Sequence, residues 1–249
     1  GALLVGVSAA KALALAWDVP YVGVNHMEAH LYSAFLEDPT LEFPLVVLLV
    51  SGGHTMLVEM QGYGEYRILG QTIDDAAGEA FDKVARFLGL GYPGGPAIDR
   101  EALKGDPTAI RFPRALSEDR DNLDFSFSGL KTAVVNYVRK HPDASTADIA
   151  ASFQAAVVDV LVAKARTAAR QVGAKGVVLG GGVAANLLLR EELLGACIAD
   201  GIRGFLPSRE MCTDNAAMIA AAGWYRLRSD GPTPLDTGAF PNLRLPVIT

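Results

Sequence analysis

Hydrophobic and polar positions along the chain switch between helical and strand periods, and the switches mark out its elements. Residues 1–18 are rich in Ala, Leu and Val, with Ser8 and Lys11 the only polar side chains before Asp18. They predict a helix that ends near Trp17, where Asp18, Val19 and Pro20 stop it. Residues 21–24 form a short β-rich run, and 26–36 return to helical spacing until Glu37, Asp38 and Pro39 break it. Residues 45–50 are continuously apolar and of strand length, so they predict a strand buried on both faces. Ser51, Gly52 and Gly53 supply a turn, 55–59 alternate as a returning strand, and 66–69 suggest a third. Helices follow over 76–88, 130–139 and 147–172, while 89–127, rich in Gly, Pro and charge, should be loop with short helical pieces. Further on come a strand over 176–179, a turn at Gly180, Gly181 and Gly182, a helix over 184–199, and a strand over 203–206. The last helix, 213–227, should be capped by Thr213 or Asp214. Beyond Ser229 four prolines make the tail irregular.

Strand–turn–strand units mixed with strand–turn–helix units define an α/β class, and no internal repeat or low-complexity tract stands out. The expected division places 1–42 in the remnant of one lobe, 43–228 in a second lobe, and 229–249 in the tail. With 50% hydrophobic and 20% charged positions in 249 residues, the chain can bury a core, and disorder is excluded as its main state. No apolar run is expected to reach the ~18 residues that cross a bilayer. The chain opens on Gly1 with neither Met nor a basic leader, so its natural start is expected to lie further upstream. Two cysteines, Cys197 and Cys212, make no disulfide framework and suit a reducing cytoplasm.

A net charge of -6 argues against a dedicated nucleic-acid binder, which normally carries a basic footprint. One segment departs from it: residues 83–140 hold ten basic and seven acidic side chains. A mixed, solvated surface explains that as well as a binding patch does.

Among residues able to carry chemistry, His26 and His30 come first. At i and i+4 they share a helix face, about 5–6 Å apart at Cβ, and both can reach one metal at roughly 2.0–2.1 Å. A peptidase of the H-E-x-x-H kind is excluded, because Glu28 at i+2 is turned about 200° from His26 and faces away. Asp214 is a candidate third ligand, although helix capping also accounts for a carboxylate there. Two histidines and a carboxylate would leave open positions for a reacting ligand. Gly52 and Gly53 end one buried strand, and Gly180, Gly181 and Gly182 end another. Such turns let backbone N–H groups approach a phosphate, with Ser51 or Thr55 adding a hydroxyl donor and Asn186 able to read a ribose or a base edge, although the first also reads as an ordinary hairpin. Capping explains Asp74 and Asp75; Asp82, further along the helix, is the better candidate for holding substrate. Residues 92–96 form a rigid turn that can close over a ligand, and 124–131 pair aromatics with Lys131.

Seven of these segments, in this order, resemble one family: HMEAH (26–30), LVSGGHT (49–55), DDAAGEAFDK (74–83), YPGGP (92–96), FSFSGLKT (125–132), GGGVAAN (180–186) and CTDNAAM (212–218). The resemblance is to bacterial TsaD proteins and runs from the first residue to about Leu227. It implies the two-lobed fold of actin-like ATPases and sugar kinases, with RNase H-like lobes, of which the first is incomplete here. The family's opening hairpin, with an Ile-Glu-Thr-Ser-Cys-Asp-Glu-type motif, and an Ala-Ser-Arg-Asp-His-type segment would both precede Gly1.

The implied activity is transfer of threonylcarbamoyl from threonylcarbamoyl-adenylate to N6 of the adenosine 3′ of the anticodon, in tRNAs reading codons that begin with A. By resemblance His26, His30 and Asp214 hold iron, or zinc. Leu49, Val50, Ser51, Gly52 and Gly53 line the phosphate and threonylcarbamoyl part, and Asp82, Gly95 and Asn186 bind the adenylate. The resemblance assigns no general base, and His54 is the candidate considered. Implied partners are tRNA, a TsaB-like inactive paralogue and a TsaE-like ATPase, in the cytoplasm and without a membrane. The alternatives are a small-molecule carbamoyltransferase on the same fold and a non-catalytic scaffold paralogue. A scaffold would be expected to have lost the histidine pair and Asp214.

Overall fold

The computed structural model describes residues 1–116 and 121–247. Glu118, Asp119 and Arg120 of the charged segment fall outside the described residues.

The continuous apolar run becomes β1 (Leu45–Val50), in which every residue is buried. Its side chains alternate between two cores: Val46, Leu48 and Val50 face one, and Leu45, Val47 and Leu49 face the other. β1 pairs antiparallel with β2 (Thr55–Gly62), which pairs antiparallel with β3 (Glu65–Gln71). On its other side β1 runs parallel to β4 (Gly176–Gly180), which runs parallel to β5 (Arg203–Phe205). The sheet order is therefore β3-β2-β1-β4-β5.

Helices cover both faces, as a strand buried on both sides requires. In chain order they are α1 (Ala2–Trp17), α2 (His26–Glu37), α3 (Ala77–Phe87), α4 (Gly94–Ala102), α5 (Ser128–Lys140), α6 (Thr146–Val172), α7 (Leu187–Asp200), α8 (Arg209–Cys212) and α9 (Ala216–Ser229). α3 to α7 build the first core, while α2 and α9 cover the opposite face. The boundary drawn after Glu42 thus separates pieces that share a core, since Ala29, Leu31 and Tyr32 pack with Leu45, Val47 and Leu49. α1 buries only Ala14 and leaves Leu4, Val5, Leu15 and Trp17 exposed.

Four expectations need correction. Residues 21–24 form no strand; they bond to the irregular tail, through Thr233 N–H to the Tyr21 carbonyl and Gly23 N–H to Thr233 Oγ1. The helix expected from 184 begins at Leu187, after a 3₁₀ turn over Gly182–Ala185. The last helix is capped by neither Thr213 nor Asp214, because Asn215 accepts from Met218 N–H in that role. Finally, α6 is long and apolar enough to cross a membrane. Its low charge has another cause: two-thirds of its most apolar stretch is buried inside the fold, as in a core helix.

α2 is capped by Asn25, whose Oδ1 accepts from the N–H groups of Met27 and Glu28. Glu28 points away from the histidine face, as its position on the helix demands. It is buried against Arg226, whose Nε lies 2.9 Å from Oε1, and it accepts from the Tyr66 hydroxyl at 2.8 Å. Burial pushes the Tyr66 phenol up, keeping it protonated as a donor. This ion pair joins α2, α9 and β3. Replacing Arg226 with Met would strand a buried carboxylate and is expected to lower unfolding free energy by about 3–5 kcal/mol. Urea denaturation measures this, and a loss within experimental error would mean that Glu28 is solvated.

Candidate active site at the ends of β1 and β4

Parallel pairing sets the carboxyl ends of β1 and β4 side by side, with Leu49 opposite Gly180. After β1 the chain reverses through Ser51-Gly52-Gly53-His54, closed by Ser51 N–H to the His54 carbonyl at 2.8 Å. The turn is thus a hairpin, and it also lines a cleft of about 540 Å³ with Gly182, His26, His30 and Asp214. Among the described residues the N–H groups of Gly52 and Gly53 have no internal acceptor.

The glycines divide into two kinds. Gly181 has φ +85, and a Cβ there would lie 2.4 Å from the Val50 carbonyl oxygen. Gly78 and Gly94 are crowded in the same way, against Ser51 and Asp82 respectively. These three are demanded by the fold. Gly52, Gly53, Gly95 and Gly182 have no positive φ, and a Cβ on any of them would meet nothing within 4 Å. Nothing inside the protein requires glycine at those four positions; close approach of a ligand to the backbone would.

His26 and His30 stand on one face of α2, rings edge to face at 4.9 Å. Their Nε2 atoms lie 3.3 and 3.2 Å from the same Asp214 oxygen, and one donor atom from each residue falls within 4.8 Å of the others. Ligands on one ion at about 2.1 Å stand roughly 3.0–3.4 Å apart, which the two edges to Asp214 match, while the widest separation in the triad, 4.8 Å, would have to narrow around an ion. Asp214 is available because Asn215 does the capping. Burial, and then His26, hold the His30 imidazole below its ordinary pKa, which favours the neutral form that ligates. The His30 contact with Asp214 is accordingly not a full salt bridge. His30 Nδ1 is buried without a hydrogen bond, so nothing in the fold fixes its tautomer. His54 borders the same cleft.

A second cavity, of about 330 Å³, shares Gly182 with the cleft and is lined by Gly95, Asp99, Asn186 and Arg209 among others. Gly95 and Asn186 therefore come together, as expected. The side chain of Asn186, however, is already engaged. Its Oδ1 caps α7 through Leu189 N–H, and its Nδ2 donates to Gln154 at 3.0 Å and Asp99 at 3.2 Å. Asp82 borders neither space; its Oδ1 accepts from Gly94 N–H at 2.7 Å and so sets the turn that carries Gly95. Leu49 and Val50 are fully buried, one in each core, and line neither. Asp74 does not cap its own helix: it accepts from Ser126, Phe127 and Ser128 at the start of α5, while Asp75 pairs with Lys83 and Lys131.

Sequence reasoning took Thr55 for a donor toward phosphate and missed Arg190, and both prove to be positioning residues. Thr55 Oγ1 accepts from Ala77 N–H and holds α3 against the hairpin. Arg190 donates to the carbonyls of Ala184 and Leu206, tying the 3₁₀ turn to the segment that leads to Asp214. The signal for either lies in contacts distant along the chain.

Fold and site together define an α/β lobe carrying a two-histidine, one-carboxylate cleft between glycine turns. Two solved structures share the fold: HypF of T. kodakarensis, at TM-score 0.69 and 19% identity over 89% of this chain and 39% of that one, and a full-length HypF in a phosphate- and nucleotide-bound form, at TM-score 0.67 and 14% identity over 87% and 45%. At such identities the likeness speaks to the fold alone. The family is closer to hand. The model for TsaD, tRNA N6-adenosine threonylcarbamoyltransferase, matches residues 1–221, and the chain belongs to that family. A relative of that name from Symbiobacterium thermophilum is 56% identical over 98% of this chain and 72% of its own length. One from Thermotoga neapolitana is 52% identical over 98% and 74%.

If ligand approach is what Gly53 serves, Gly53→Ala should fold at least as stably as the parent, gaining up to about 1 kcal/mol, yet bind AMP about tenfold more weakly. Calorimetry and thermal unfolding on one preparation separate the two effects. Unchanged AMP affinity would remove the turn from the site.

Proposed function

We propose that the chain transfers the threonylcarbamoyl group of threonylcarbamoyl-adenylate to N6 of the adenosine 3′ of the anticodon in tRNAs reading codons that begin with A. The observation that carries this reading is the convergence of His26, His30 and Asp214 with both glycine turns on one cleft. Membership of the TsaD family supports the same chemistry. The amine nitrogen bonds to the carbonyl carbon, the bond from that carbon to the phosphate oxygen breaks, and AMP departs with the electron pair.

Each part of the site has a share in this. His26, His30 and Asp214 would hold iron, or zinc, which supplies Lewis-acid polarisation of the carbonyl when bound. The unpartnered N–H groups of Gly52 and Gly53 receive charge developing on the phosphate. Ser51 shapes their turn, with Oγ accepting from His54 N–H. Leu49 and Val50 contribute as the strand end that sets the turn in place. Gly95 lets the adenylate approach the backbone; Asp82 and Asn186 act behind it, holding the 92–95 turn and the start of α7. Burial, and then His26, keep the His54 imidazole below its ordinary pKa, so near neutral pH it is an acceptor for the proton released by the amine.

A small-molecule carbamoyltransferase draws no support from the HypF likeness, which concerns the fold. A scaffold role is disfavoured by retention of all three donor residues. Iron or zinc content of purified His26→Ala/His30→Ala protein, with a nucleoside digest of tRNA from cells relying on it, tests the reading. Loss of both metal and threonylcarbamoyl adenosine is expected; undiminished metal would sink the triad.

Partners form part of the proposal. Four of the basic side chains in 83–140 are engaged internally: Lys83 and Lys131 with Asp75, Lys104 with Glu101, and Arg114 with Asp159. That weakens the segment as a tRNA patch, and a TsaB-like paralogue with a TsaE-like ATPase would complete the tRNA site in the cytoplasm. The exposed apolar side chains of α1 offer a docking face for the paralogue, unless another part of the lobe covers them. Filter binding at physiological salt should show the full-length protein gripping tRNA more weakly alone than with these partners. Equal affinity would contradict a composite site.

A further inference from the structure

Every residue lining the cavity of Gly95 and Asn186 lies between Phe81 and Arg209, on or beside α3, α4, the 3₁₀ turn, α7 and α8. Its polar wall is the meeting of α4 with the start of α7. Asp99 presents a carboxylate there, whose Oδ2 accepts from Leu187 N–H at 3.4 Å and whose Oδ1 accepts from Asn186 Nδ2 at 3.2 Å. An ionised carboxylate can accept about four hydrogen bonds, so these two leave capacity for a ligand.

Asn186 thus helps to decide where that carboxylate stands, and the direction of its amide matters, because turned over it would set its oxygen against Asp99. Helix capping fixes one end, since Oδ1 is taken by Leu189 N–H at 2.9 Å. Both hydrogens of Nδ2 then need acceptors. Asp99 takes one, and Gln154 Oε1, at 3.0 Å, takes the other. Asn186 and Gln154 are 7% and 5% exposed, and a buried donor left unpaired is costly.

The place of Gln154 in the fold makes this use specific. Three buried polar side chains interrupt the apolar α6: Ser152, Gln154 and Lys164. Ser152 accepts from Ile110 N–H and donates to the Asp106 carbonyl, while Lys164 donates to the carbonyls of Leu116 and Asn122. Those two tie down loops. Of the three, Gln154 is the one that bonds to a residue lining the cavity, although it does not line the cavity itself. Its neighbour Phe153 backs the same space, edge to face with Phe81 at 5.3 Å.

We propose that Gln154 is a positioning residue for the nucleotide part of the donor. It holds the Asn186 amide in the orientation that keeps the Asp99 carboxylate at the cavity wall, and it acts on the ligand only through that pair. The inference rests on the transfer reading above, which puts the adenylate in this cavity. A site held by buried side chains of the scaffold needs no reorganisation when its ligand arrives.

Calorimetry of AMP binding to the full-length protein tests this. Gln154→Met keeps the length of the side chain and removes the acceptor, so AMP should bind about tenfold more weakly, the effect of one lost hydrogen bond. Gln154→Asn, which withdraws the acceptor by a methylene, carries the same expectation and keeps the test open if Gln154→Met does not fold. Ser152→Ala breaks the bonds of an equally buried side chain on the same helix and should leave AMP affinity unchanged. Asp99→Ala should itself weaken AMP binding, and adding Gln154→Met to it should cause no further loss, because the route to the ligand is already gone. Unchanged affinity in the Gln154 variants or in Asp99→Ala would overturn the assignment. So would a loss from Gln154→Met that is as large without Asp99 as with it, or an equal loss in Ser152→Ala, either of which marks a general loosening of the lobe. Wild-type protein that binds no AMP would refute the placing of the adenylate instead.

Discussion

The parallel pairing of β1 with β4 is the constraint on which the site depends. Two neighbouring strands that run the same way end at the same edge of the sheet, so the turns leaving them must meet there. Gly181 makes the meeting close: its positive φ and its approach to the Val50 carbonyl let the chain cross the end of β1 at a distance no side chain would allow. Gly180 faces the other side under less constraint, with no positive φ. A Cβ there would lie 3.7 Å from the His30 carbonyl oxygen, so α2 rests almost directly on the end of β4. The histidines and both glycine turns therefore share one cleft because backbones, with few side chains between them, set the spacing.

Charged groups near the cleft sort by whether the fold uses them. Glu28 is internal, held by Arg226 and Tyr66, and could not reach the histidines without giving up both partners. Asp214 is exposed, and the cap it might have supplied comes from Asn215. Asp82 and Asp99 lie between these extremes, each accepting one or two N–H groups that fix a loop beside the cavity of Gly95 and Asn186. A carboxylate committed to backbone donors is a poor ligand but a good strut. This orders the carboxylates by role more firmly than their nearness to the cleft does.

What was legible in the sequence was whatever local geometry determines. The i, i+4 histidines and the outward turn of Glu28 follow from helical spacing alone, and the doubly buried β1 follows from an unbroken apolar run. Contacts closing over long stretches of chain were not legible. Asp74 lies at the start of one helix yet serves another some fifty residues on, and Asn186 spends its amide on Asp99 and Gln154. Residues 21–24 have strand composition but face an irregular tail, so no ladder forms. α6 looks polar-poor for the same reason that β1 does: it is core. Motif resemblance found Gly95 where local reasoning would not, because a glycine at the second position of a helix has no local signature.

An acidic chain acting on anions must place its cations with care, and this one does. At physiological salt the Debye length is about 8 Å, so a bound phosphate senses the side chains around it more than a net charge of -6. Several cations are paired with carboxylates, among them Arg166 and Arg170 with Asp200, Arg203 with Asp38, and Lys175 with Glu42. Arg100 and Arg209 have no such partner among the described residues, and both line the cavity of Gly95 and Asn186. Arg244, likewise unpaired, lines the cavity on the other side of the histidines. Unneutralised arginine thus borders both spaces that open onto the cleft. A phosphate-bearing ligand in either space would therefore meet a cation that the fold has not already paired.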